Sequence, residues 1–247
     1  MNPLTVAAIR RRLRSAAQPA HVPVLQSFFK TGPGQYGEGD IFIGVKLPAM
    51  RSVSRECRDA PMEVALALLK SRVHEERMLA LLLLVDRFAR GEDSERRRVY
   101  DAYLSNTAYI NNWDLVDVTA PAIVGGYLFE RNRAPLGRLS RSTSLWERRI
   151  SIVATHFFIR QGDLADTFRI ADRLLDDRHD LIHKAVGWML REAGKRDGAA
   201  LRAFLAPRHA RMPRTMVRYA IERVPEAERR TYLTASRRGQ EQSHFSL

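Results

Sequence analysis

Past residue 60 the chain reads as one helix after another. Met78, Leu79, Leu82, Leu83 and Phe88 recur at helical spacing, and the same 3.6-residue pattern returns over 93–104, 113–124, 146–160, 164–175, 181–193, 199–205, 215–224 and 226–235. Short polar or Pro/Gly turns separate these segments. Asp93 or Ser94 is a natural cap for the second of them, and Asn112 for the third. Nearer the N-terminus, residues 1–17 predict an amphipathic helix with Val6, Ile9, Leu13 and Ala17 on one face and Arg10, Arg11, Arg12 and Arg14 elsewhere. Residues 22–29 predict another. No hairpin signal and no alternating strand series interrupts the pattern, so the fold class expected is all-α.

Helix starts near His74, Trp113, Trp146, Asp180 and Pro213 lie 39, 33, 34 and 33 residues apart. A two-helix unit recurring at that period is the signature of an α-solenoid superhelix of HEAT-like repeats. In such a superhelix one helix of each repeat lines a concave face. The expectation is a single repeat domain over 1–236, followed by a polar, disordered tail over 237–247.

Charge says what that face would hold. The 247 residues carry 41 Lys plus Arg against 28 Asp plus Glu, a formal charge of +13, and all but five of the cations are arginine. Arginine's planar fork suits phosphate, so a polyanion is the partner expected, duplex DNA before an anionic membrane surface. The longest apolar run, 78–85, is far short of a membrane span. Cys57 stands alone, which excludes an internal disulfide and a thiolate zinc cluster, and a cytoplasmic monomer is the simplest setting. The first acid is Glu38, and a basic N-terminus also fits an organelle transit peptide; a helix belonging to the fold is the favoured reading.

Several motifs suggest chemistry that their context denies. Gly32-Pro33-Gly34-Gln35-Tyr36-Gly37 matches GxGxxG, but a helix precedes it and another turn follows, so it reads as a loop. His179 and His183 stand four apart without the Glu and third ligand of a zincin. His74-Glu75-Glu76-Arg77 lacks the second histidine altogether. The three tryptophans are more informative. Trp113 and Asp117 share one helix face. Trp146 precedes Arg149 by three residues in the next repeat, and Trp188 follows in the repeat beyond. The alternative is that the tryptophans pack in the core, Asp114 and Asp117 complement a helix dipole, and Arg149 belongs to a solvated face.

The run Lys30 to Asp40, followed by Phe42-Ile43-Gly44-Val45-Lys46-Leu47-Pro48, resembles the amino-terminal region of the AlkD family of DNA alkylation-repair glycosylases. The likeness continues through Trp113-Asp114-Leu115-Val116-Asp117, Leu145-Trp146-Glu147-Arg148-Arg149, the stretch from His183 to Glu192, and that from Met212 to Glu222. It spans most of the chain. The resemblance implies HEAT-like repeats and hydrolysis of the N-glycosidic bond of N3- and N7-alkylated purines in duplex DNA, without a snug pocket for the base. It implies Asp117 as the catalytic carboxylate, Trp113 and Trp188 as the aromatics embracing the lesion's backbone, and Arg149 as an assisting cation. Arg148, one residue out of register, and Lys184, Arg191, Arg214 and Arg218 are further candidates for DNA contact.

That chemistry suits these residue types. A cationic alkylpurine leaves without protonation, and departure puts positive charge on the deoxyribose, which a carboxylate stabilises. Indole faces add cation–π attraction, and Arg149 would hold a phosphate. No metal and no cofactor is required. Two other readings stand beside it: an inactive relative that binds damaged or branched DNA, and a helical-repeat scaffold for protein partners.

Overall fold

A computed structural model describes residues 4–242. The chain divides into two compact units, Met1–Ile123 and Val124–Leu247, and the elements described in each are helices. Among the described residues the only extended pairing is an isolated parallel bridge between Ile41 and Val73. The all-α expectation holds. No described helix is long and apolar enough to cross a membrane.

The first unit contains α1 (Val6–Ser15), α2 (Val22–Phe28), α3 (Leu47–Glu56), α4 (Met62–Leu69), α5 (His74–Arg90), α6 (Asp93–Ser105) and α7 (Trp113–Ala120). Its centre is α5, which packs against α3, α4, α6 and α7. Every residue from 74 to 84 is buried. A helix that is apolar on all sides over residues 78–84 has no solvent face, so its polar first turn is buried with the rest and has to find partners inside. The basic α1 belongs to this unit. Thr5 caps it by accepting from the Ala8 amide, Ile9 and Leu13 are fully buried, and Arg10 donates to Glu76 of α5 at 2.8 Å. Gly44 lets the loop before α3 pass close to the turn after α1: its φ is +85°, and a Cβ there would lie 2.1 Å from the Gln18 carbonyl oxygen.

The second unit contains α8 (Gly126–Leu128), α9 (Ala134–Leu139), α10 (Leu145–Val153), α11 (Thr155–Arg160), α12 (Ala165–Arg173), α13 (Asp180–Arg196), α14 (Gly198–Leu205), α15 (Arg214–Ala220) and α16 (Glu226–Gln242). α13 is its centre, packed on α10, α11, α12, α14 and α15. The crossing with α15 is close because Gly187 has no side chain: a Cβ there would lie 2.5 Å from that of Tyr219. α16 runs to Gln242, and the remaining residues of the 237–247 tail lie outside the described residues.

The helix starts at His74, Trp113, Leu145, Asp180 and Arg214 reproduce the repeat spacing to within a residue. Boundaries differ where side chains compete with the backbone ladder. The helix expected over 113–124 ends at Ala120, because Pro121 has no N–H to donate, and a π turn over Pro121–Gly125 follows. The helix expected over 146–160 breaks at Ala154. There Ser151 Oγ donates to the Arg148 carbonyl and Thr155 Oγ1 to that of Ile152, each at 2.7 Å. The capping expectation for α6 is corrected: Glu92 occupies the cap position and makes no side-chain cap bond.

Candidate functional site

α7 is only eight residues long and is held at its start. Asn112, fully buried, accepts from the Trp113 amide at 2.8 Å. Trp113 and Asp117, one turn apart, both line a cavity of about 290 Å³ in the first unit. Its walls are Leu25 and Phe28 of α2, Phe29, Phe42, Met50 and Met78, with Asp114 also at the edge. The Trp113 ring is stacked on Phe29 (5.3 Å between centroids, 23° between planes) and meets Phe28 edge-on at 5.5 Å. Phe28 is 58% exposed, so the aromatic cluster reaches the surface. Asp117 is half-buried, and its charge is one of the influences that, after burial, push the Tyr103 phenol up. Tyr103 bonds Thr119 at 3.0 Å, one residue from the site's helical face.

The other carboxylates around this cavity have structural work. Glu75 accepts from the amides of Ile43, Gly44 and Val45 at 2.9–3.2 Å and so fixes that loop. Asp114 lies 2.8 Å from His74 Nε2, while Asp40 lies 3.3 Å from His74 Nδ1 and 2.8 Å from Arg77 Nη2. Burial would lower the His74 pKa, but the Asp114 and Asp40 carboxylates outweigh it and push the ring up to about 9. Burial would raise Asp40, and His74 and Arg77 together hold it below its ordinary value. Sequence reasoning discarded His74-Glu75-Glu76-Arg77 as an incomplete metal motif. The signal that would have found this cluster is four polar residues opening a helix with no polar face.

The second unit carries the other candidates. Arg149, on α10, is only 5% exposed, and its Nη1 donates to the Leu181 carbonyl in the first turn of α13. The expectation of a phosphate-facing side chain therefore meets a guanidinium that is nearly enclosed and that ties α10 to α13. Trp188, half-buried on α13, lies against His156, with ring centroids 5.6 Å apart, and burial lowers the His156 pKa. Arg148 donates to Asp177 at 2.6 Å and to the carbonyls of Ser142 and Thr143. Lys184 pairs with Asp180, Arg191 with Glu192 and Glu222, and Arg214 donates to the Leu233 carbonyl. Arg218 is exposed on α15. The His179 and His183 spacing serves α13 itself: His179 Nδ1 caps it by accepting from Leu181, and His183 Nε2 meets the Asp177 carbonyl at 2.5 Å.

Residues 9–224 match the family model described as DNA alkylation repair enzyme. Among solved structures the fold is similar to one titled a predicted DNA alkylation repair enzyme from Enterococcus faecalis. That likeness has a TM-score of 0.65 and 14% identity, and covers 85% of this chain and 97% of that one. No curated protein matches the chain by sequence.

Proposed function

Since the chain belongs to the family of DNA alkylation repair enzymes, we propose that it is a DNA glycosylase releasing cationic N3- and N7-alkylated purines from duplex DNA. The observation that carries this reading is the pairing of Trp113 and Asp117 on one face of α7, both lining one aromatic-walled cavity. An alkylated purine already bears positive charge. When the bond from its nitrogen to C1′ breaks, the electron pair leaves with the base and neutralises it, and the charge moves to the sugar. Asp117 faces that oxocarbenium-like sugar, stabilises it electrostatically, and takes the proton of the water that adds to C1′. Trp113 offers an indole face to the same cation. In the second unit Trp188 packs against the lesion's backbone, and Arg149 acts as the anchor of α13 rather than as a mobile phosphate clamp. The products are the free base and an abasic site, and the scheme uses no metal or cofactor.

The experiment is single-turnover release of 7-methylguanine from a methylated duplex. Asp117→Asn keeps the side chain's size and removes its charge, so release should slow about ten- to a thousandfold while affinity for undamaged duplex holds or tightens slightly. An unchanged rate in that variant would refute the mechanism. A wild-type protein that releases no base would make the chain a binder of damaged or branched DNA instead.

A further inference from the structure

His74 has no place in the mechanism above, yet it is buried in the wall of the cavity that Asp117 lines. Phe42 stacks on its ring at 4.7 Å, and Phe29 lies tilted against it at 4.9 Å. Each ring nitrogen faces a carboxylate oxygen: Nδ1 that of Asp40, Nε2 that of Asp114. A neutral imidazole has one N–H and would turn a lone pair toward one of the two anions; only the doubly protonated ring donates to both. Arg77 is the other cation, so Asp40, Asp114, His74 and Arg77 sum to zero charge. The remaining acids of this turn are occupied elsewhere, Glu75 by the loop amides and Glu76 by Arg10 and Arg14 of α1.

This cluster joins the elements that carry the candidate site. Asp40 lies in the glycine-rich loop, His74 in α5 and Asp114 in the first turn of α7. Phe29, in contact with His74, is stacked on Trp113. A two-turn helix ended by Pro121 has little stability of its own. What fixes its start fixes Asp117 one turn further on. We propose that His74 is a positioning residue for Trp113 and Asp117: its imidazolium bridges Asp40 and Asp114, pins α7 to α5, and through Phe29 seats the Trp113 ring. The effect on rate rests on the glycosylase reading; the bridge does not.

Three measurements on the full chain test this. His74→Gln keeps a polar side chain without the charge. In single-turnover release of 7-methylguanine it should be slower by about ten- to a hundredfold, the loss expected of a group misplaced by an ångström, with duplex Kd within about twofold of wild type. Nitrogen-resolved NMR of the wild-type protein near neutral pH should show both His74 nitrogens protonated, and Asp114→Asn should shift the Nε2–H signal and the Trp113 indole N–H together. A folded His74→Gln variant with undiminished release overturns the proposal, as does a ring protonated on one nitrogen only. Should His74→Gln fail to fold, Asp114→Asn carries the rate measurement, and an unchanged rate there overturns it. If the wild-type protein releases no base, the glycosylase reading fails by itself. The bridge is then judged by the NMR signals, and a Trp113 resonance that stays put in Asp114→Asn overturns it.

Discussion

Raising the pH from 6.5 to 9 should weaken the first unit by about 3 kcal/mol, because the buried His74 ring is charged in the folded state. Its pKa moves from 6.5 to about 9 on folding. At about 1.4 kcal/mol per pH unit, that difference caps the whole effect at about 3–4 kcal/mol, of which about 3 kcal/mol falls between pH 6.5 and 9. The sign follows from proton counting. Between the two values the folded chain holds a proton that the unfolded chain has lost, so stability is fully present below pH 6.5 and is lost as the pH rises through 9. Other shifted groups fall outside this window. Burial lowers His156 and His179, whose effect is to add stability as the pH rises toward 6.5. Asp40, held low, adds stability that is lost only in acid, below its ordinary 3.8. Tyr103 and Tyr232 are raised from 10.0 and matter only above it.

The assay is urea unfolding followed by circular dichroism, at several pH values across that window. The wild-type midpoint should fall steadily at constant slope. His74→Gln should start lower and stay flat, so that the two converge near the alkaline end. A wild-type midpoint that is level or rises, or a His74→Gln midpoint that falls as steeply, would show that the ring is neutral or that its partners do not hold it.

Duplex DNA affinity should fall steeply with salt, with a log–log slope of about −5 to −7, for some five to eight phosphates neutralised; salt-independent binding would favour a protein-interaction scaffold. Arg149→Ala should cost about 1–3 kcal/mol of stability in thermal unfolding, through the lost bond to Leu181, and leave that salt slope within about half a unit of wild type. Arg148→Ala should likewise destabilise, by about 2 kcal/mol, because it strands the nearly buried Asp177 carboxylate. Gly187→Ala should destabilise by about 1–3 kcal/mol in urea unfolding, since α13 and α15 must separate to admit the methyl group.

The repeat register was legible because it rests on periodicity. Five helix starts recur every 33–39 residues in the sequence, and the structure places them there. The interruptions were less legible. Pro121 announces itself, but the break at Ala154 comes from two hydroxyls turning back onto the ladder, a contest decided by tertiary packing rather than by residue type. α3, α4 and α9 lie outside the segments that the helical periodicity marks. The helical spacing of Trp113 and Asp117 put them on one face, and they do line one cavity. Whether an arginine is available to a phosphate is not written in its spacing. Arg148 and Arg149 look alike in sequence, yet both are engaged within the second unit.

The cavity's carboxylates sort by their partners, and that sorting separates two neighbouring acids experimentally. Asp114 and Asp117 sit three residues apart on α7, and either could face a cationic sugar on sequence grounds. Asp114 is half of the bridge around His74, at 2.8 Å from Nε2. Removing its charge should therefore drop the His74 pKa, flatten the stability profile between pH 6.5 and 9, and slow base release indirectly. The carboxylates that hold that ring charged are Asp114 and Asp40, so Asp117→Asn should keep the wild-type pH profile of stability while losing most of the rate. The two variants thus exchange signatures: one moves the profile and the rate together, the other moves the rate alone. Measuring both quantities in both variants assigns the carboxylates without relying on which slows the reaction more. A flat profile in Asp117→Asn, or an unaltered one in Asp114→Asn, would mean that the charges around α7 are paired differently, and the assignment of Asp117 as the reacting carboxylate would go with them.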